Sequence, residues 1–266
     1  MNELKPKKYQ STTETLKEAK DADAISDKET RTAWGDFPPA ISNGITGELK
    51  REPEYKGAKS GDFIQSMILV DKLLKDETID RVRIMIGDEK PIILPVLSEE
   101  VTGKNRIPQA TAYALAVSLG LEVDTNIYQD NTAKRTGTGI YHRYVAPPEF
   151  KGDVKSGQSY LIVDDTLSVG GTIATLKGYV ENRGGKVIGA TVLTSFAHNA
   201  DIAIKQDMLQ SLEQKQGLND YWIKEFGYRL DKLTQQEAVH LKKPTLEQIQ
   251  ARVQEARQAL KQSKEN

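Results

Sequence analysis

The chain has no cysteine, which removes disulfides, thiolate metal sites and thiol nucleophiles from consideration. Histidine is nearly as scarce. His142, His198 and His240 lie too far apart for a local ligand pair of the HxxxH kind, which argues against zinc. Charge of one sign is also lacking: 37 Lys plus Arg stand against 38 Asp plus Glu, a net charge of -1. With no overall pull toward nucleic acid or anionic lipid, no dedicated nucleic-acid binding is expected. Apolar runs such as residues 92–97 are far shorter than the roughly 20 residues a bilayer span needs, and the opening Met-Asn-Glu-Leu-Lys-Pro-Lys-Lys lacks a secretory signal's apolar stretch. These absences predict a cytoplasmic protein without membrane contact. No Gly-x-Gly-x-x-Gly follows a strand-like run, which disfavours a dinucleotide-binding oxidoreductase.

What is present suits a folded chain. Its 266 residues, 38% hydrophobic and 28% charged, are enough for one sizeable α/β domain with appendages. Residues 1–60 hold few large apolar side chains beyond Trp34, Phe37 and Ile45 and show no clear periodicity, so they read as an irregular arm. From residue 62 to 74, Phe63, Ile64, Met67, Ile68, Val70, Leu73 and Leu74 recur at helical spacing. Val82, Ile84 and Ile86 alternate as a strand would, and residues 91–97 read as a buried strand. An alanine-rich helix follows over 110–119, between Pro108 and Gly120, and then Val123, Thr125 and Ile127 alternate. Residues 160–163, 172–183 and 187–193 form a strand–helix–strand unit whose strands should be parallel. Beyond Phe196 the chain is polar and helical, with capping boxes at Thr234–Glu237 and Thr245–Gln248. The expected division is an arm over 1–60, a core over 61–196 and a helical appendage over 197–266. The aromatics Trp34, Phe37, Tyr221, Trp222 and Phe226 are expected to pack the appendages onto the core.

The stretch from Tyr160 to Thr172 carries the chemistry. A buried strand delivers two adjacent carboxylates, Asp164 and Asp165, to its carboxyl end. A turn of hydroxyls and glycines, Thr166, Leu167, Ser168, Val169, Gly170, Gly171 and Thr172, then opens a helix. Ligands of open α/β sheets bind at such an edge. Glycines let backbone N–H groups approach an anion, and the helix adds its positive end, so the turn suits a phosphate. The carboxylates suit sugar hydroxyls or a Mg²⁺ carried by a polyphosphate.

This segment resembles the fingerprint of the type I phosphoribosyltransferases: an apolar strand, an acidic pair, three variable residues, then Thr-Gly-Gly-Thr, with Val169 where the family usually has Thr. The resemblance implies a doubly wound, mostly parallel α/β sheet and a phosphoribosyltransferase that moves the 5-phosphoribosyl group of Mg²⁺-bound phosphoribosyl pyrophosphate (PRPP) to a nucleobase. Asp164 and Asp165 would meet the ribose hydroxyls, and Mg²⁺ directly, through water or through those hydroxyls, while residues 166–172 would hold the 5-phosphate. The strand over 91–97 and the following loop are similar to the family's pyrophosphate loop, which assigns Lys104, Asn105 and Arg106 to the pyrophosphate. The long segment 129–158 matches the position of the family's closing lid, giving Lys134 and Arg135 to the leaving group and His142 to proton donation or phosphate contact, with Arg143 beside them. The family is commonly oligomeric, so a homo-oligomer is expected, with the amphipathic helix over 245–260 as its candidate contact. A PRPP-sensing protein of the same fold, without turnover, is the alternative.

Overall fold

The computed structural model describes residues 30–100, 103–130 and 139–265. Its centre is a five-stranded sheet built from β1 (Ala40–Ile45), β2 (Ile92–Pro95), β7 (Ser159–Leu167), β8 (Lys186–Ser195) and β9 (Asn199–Ala200), in the order β2-β7-β8-β1-β9. The first four run parallel, and β9 closes the edge antiparallel to β1. Two short hairpins complete the strands: β3 (Glu99–Glu100) with β4 (Gly103–Lys104), and β5 (Tyr128–Gln129) with β6 (Phe150–Lys151).

Because side chains alternate along a strand, each buried strand feeds two cores. Ile92, Leu94, Tyr160 and Ile162 face α6 (Gly171–Glu181) through Ile173, Leu176 and Val180. Ile93, Leu161 and Val163 pack on the opposite face with Val82 and Ile86 of α3 (Asp76–Ile86) and Ala112 and Leu115 of α4 (Ile107–Leu119). Helices therefore cover both faces, and the fold is the expected doubly wound, mostly parallel α/β sheet of phosphoribosyltransferase-like type with a helical C-terminal appendage. Two further helices, α1 (Tyr55–Ser60) and α2 (Phe63–Leu73), lead into α3, and Asp62 caps α2 by accepting from the Gln65 N–H.

Three local expectations are corrected. Residues 40–45 are not part of an irregular arm but form β1 inside the sheet. Their pattern hid this because the buried Ser42 and Asn43 interrupt the apolar run. Asn43 is satisfied locally, donating to Leu73 O and accepting from Lys75 N–H and Thr78 Oγ1. Val82, Ile84 and Ile86 lie on α3 and not on a strand: Val82 and Ile86, four apart, are buried, while Ile84 is 80% exposed. The stretch around Val123 makes one parallel bridge to Ile93, with no regular strand.

The appendage is built from α7 (Gln206–Glu213), α8 (Leu218–Phe226), α9 (Gln235–Lys242) and α10 (Leu246–Glu265). Its own core centres on Trp222, Leu230, Leu241 and Ile249. The short helix α5 (Ile140–Val145) joins it from the expected lid segment: Tyr144 meets the Trp222 ring edge-on at 5.1 Å and donates to Glu237 O at 2.8 Å. Residues 139–151 are thus built into the fold. Ile249 and Val253 of α10 are buried within the chain itself, and Leu246 packs against the same core. The aromatics act as packing groups, Trp222 fully buried and Trp34 donating to Leu233 O.

The segment over 30–38 straps the core to the appendage. It crosses α6 at Gly178, where a Cβ would sit only 2.6 Å from Arg31 Cα. Arg31 then reaches Glu237 of α9 in a forked pair, Nη1–Oε2 at 2.6 Å and Nη2–Oε1 at 2.8 Å, with both side chains buried. Burial opposes the guanidinium charge, but Glu237, Tyr228 and the forked bonds outweigh it and raise the Arg31 pKa. Arg31→Met should therefore cost about 3–5 kcal/mol by urea denaturation, because Glu237 is left charged and buried. Adding Glu237→Gln should recover part of that loss.

Candidate functional site

Strand β7 carries its acids to the carboxyl edge of the sheet and, unlike the sequence boundary at residue 163, continues through Leu167. Gly170 then adopts φ +85°, a left-handed turn that admits glycine readily, and α6 starts at Gly171 with no side chain capping its first turn. The turn edges a cavity of about 360 Å³ lined by Asp164, Asp165 and all of residues 166–172. The N–H groups at the start of α6 are the donors that would meet an anion there.

The acids differ in their surroundings. Asp165 is buried, and its Oδ2 accepts from Lys59 Nζ at 2.8 Å and from Asn105 Nδ2 at 3.0 Å. Asp164 is half-buried, lines the cavity and accepts from the Asp165 N–H at 2.8 Å. Burial first, and then the neighbouring Asp165 charge, push the Asp164 carboxyl well above the ordinary range. Around the turn, Arg143 Nη1 donates to Ser168 Oγ at 3.0 Å, the Thr166 and Thr194 hydroxyls share a bond, and Thr234 Oγ1 donates to Val169 O at 2.6 Å. The Arg31–Glu237 pair also lines the cavity; a Cβ on Gly171 would lie 2.7 Å from Glu237 Oε1. Arg31 thus neutralises an acid that would otherwise repel an anion at the turn.

Asn105 reaches the cavity, and its Oδ1 also accepts the Ile107 N–H that opens α4. Lys104, Arg106 and His142 do not line it: Lys104 is exposed in the β3–β4 hairpin and Arg106 donates to Gln109. Lys134 and Arg135 lie outside the described residues. Lys59 and Lys50 supply the cavity with cations that the sequence reading passed over, together with Gln129 and Tyr55. Lys50, Tyr55 and Lys59 sit in the stretch read as an arm, and no local motif marks them. Among the described residues no cluster of three His, Asp or Glu side chains could hold a metal alone, so any cation here would depend on its ligand's oxygens.

Fold and site together define a doubly wound α/β protein with an anion-suited strand–helix turn beside an acidic pair. Sequence comparison finds 46% identity over 230 residues with Protein TraN of Escherichia coli, covering 85% of this chain and 51% of that protein. An "Uncharacterized protein" of Haemophilus influenzae is 36% identical over 154 residues, 58% of this chain and 34% of the other. The chain spans about half the length of the first relative and a third of the second. No family model matches. These findings overturn the family drawn from the fingerprint: the long match is to TraN and not to a type I phosphoribosyltransferase. The fingerprint covers only one strand–helix turn, a local solution to anion binding that does not define a lineage. A crystal structure of adenine phosphoribosyltransferase overlaps 55% of this chain and 73% of its own at 17% identity and a TM-score of 0.31, too loose to carry an argument. The fold class rests on sheet order and helix placement.

The raised Asp164 pKa has a signed consequence. The folded chain holds this proton more tightly than the unfolded chain, so the contribution is present at low pH and is lost as pH rises from the unfolded value, about 4, through the folded one. Asp164→Asn removes that loss and can still accept the Asp165 N–H. Without ligand, the variant should melt at the same temperature as the parent near pH 4 and several degrees above it at pH 8, measured by calorimetry.

Proposed function

We propose that the cavity binds PRPP and that the chain transfers its 5-phosphoribosyl group to a nucleobase with release of pyrophosphate. The observation that supports this most is the meeting, in one cavity at the carboxyl edge of a parallel sheet, of the acidic pair, the whole 166–172 turn and the cations Lys59, Lys50 and Arg143. The turn and the start of α6 would hold the 5-phosphate, remote from the bond that breaks, and so position the sugar. Asp164 and Asp165 would accept from the ribose hydroxyls.

In the transfer, the bond from C1 to the pyrophosphate oxygen breaks and its electron pair leaves on pyrophosphate. The lone pair of a ring nitrogen forms the new bond to C1, and the proton that nitrogen carried passes to solvent. Positive charge grows on the ring and negative charge on the leaving group, so anions and cations are needed a few ångströms apart. Asp164 and Asp165 are the residues that would hold Mg²⁺ here, and the metal would supply charge that offsets the leaving group. The same reading takes the chain to be a cytoplasmic homo-oligomer, and light scattering of the full chain checks the assembly.

A second reading, PRPP binding without turnover, is favoured by one observation. The phosphate turn is bonded to the appendage through Thr234–Val169, which gives a bound ligand a route to the C-terminal helices. Calorimetric titration with Mg-PRPP, followed by pyrophosphate release with a panel of purines, pyrimidines and orotate, separates the two. Transfer predicts release with at least one base, and a fall of about a hundredfold or more, roughly 3 kcal/mol, in Asp165→Asn. Binding without release supports the second reading, and no binding overturns both.

A further inference from the structure

We propose that Lys59 makes the site select a sugar bearing a 1-pyrophosphate over the bare sugar phosphate, an inference that rests on the function proposed above. Its ammonium lies 2.8 Å from Asp165 Oδ2, with only 19% of the Lys59 side chain and 9% of the Asp165 side chain accessible. A pair this sheltered is weakly screened by salt, and separating it costs a strong charge–charge contact. The oxygen it occupies is also the one that Asn105 holds. Asn105 is fixed by its own bond to the start of α4, whereas Lys59 sits at the end of a flexible four-carbon stem in the last turn of α1.

Ribose hydroxyls that bind the acidic pair compete with the ammonium for the lone pairs of Asp165. Ribose 5-phosphate brings no second anion to the displaced ammonium. In PRPP the 1-pyrophosphate projects from the same ring face as the 2- and 3-hydroxyls, so an anion stands beside the carboxylate that Lys59 gives up. The cation changes partner and stays paired. Lys59 thus makes the ligand-free acidic pair tolerable to the fold and sets the cost of binding a sugar that has already lost its pyrophosphate. Lys50 and Tyr55 line the same cavity and shape this wall.

The test compares Mg-PRPP and ribose 5-phosphate by calorimetric titration of the parent chain and of Lys59→Met, which keeps the bulk of the stem. The variant should bind Mg-PRPP about tenfold more weakly and ribose 5-phosphate several-fold more tightly, because no pair then has to be broken. Lys59→Arg should keep the parent's preference. If Lys59→Met fails to fold by circular dichroism, Lys59→Gln, which can still donate to Asp165, carries the same comparison. Parallel weakening of both ligands, as a merely structural lysine would give, or no change in either, overturns the inference and leaves the proposed function standing. A parent chain that binds neither ligand overturns the proposed function, and the inference falls with it.

Discussion

Arg31 and Glu237 form the contact on which the rest of the site depends. Glu237 is the third residue of α9 and closes a capping box with Thr234, whose hydroxyl also donates to Val169 O in the phosphate turn. Without Arg31, a bare carboxylate would stand under the first residue of α6. One forked pair therefore holds the N-terminal strap to the start of α9 and sets the sign of the field beneath the turn. Its cost in desolvation is offset in part by the two bonds of the fork.

The cavity as a whole is a balance of opposed charges. Asp164 carries the strain, since burial and its neighbour both favour its neutral form, while Asp165 is held by Lys59 and Asn105. Arg143 approaches from α5, a helix anchored in the appendage core through Tyr144. The sheet brings the acidic pair, and the segments around it bring the cations Lys59, Lys50 and Arg143. A ligand that presents hydroxyls to one and phosphates to the other satisfies both.

The parts of this arrangement that were legible in the sequence are those whose causes are local. The strand, acidic pair and glycine turn over 160–172 follow one another in the chain, so their spacing states their geometry. Lys59 and Arg31 gave no such signal because their partners are distant in sequence and neighbouring residues carry no periodic pattern. Strand β1 was hidden by Ser42 and Asn43, whose burial is supported by the Gly44 carbonyl for the serine and by Lys75, Thr78 and the Leu73 carbonyl for the asparagine. Alternation misled at Val82, Ile84 and Ile86. The same three residues fit a helix with two of them inside, and only packing against Ala112 and Leu115 decides between the periods. The fingerprint told the local chemistry of a turn, and the family of the chain was a separate question.

The strap also orders events in time. Arg31 and Glu237 are separated by 206 residues, so on a growing chain the arginine emerges long before its partner exists. The parallel sheet can assemble through β8 while the acid that closes the strap is still unmade, and the phosphate turn gains its underside only when α9 arrives. Such a long-range closure is slow relative to local helix formation. The binding site is therefore completed last, as the final helices dock, and not with the sheet that carries its acids.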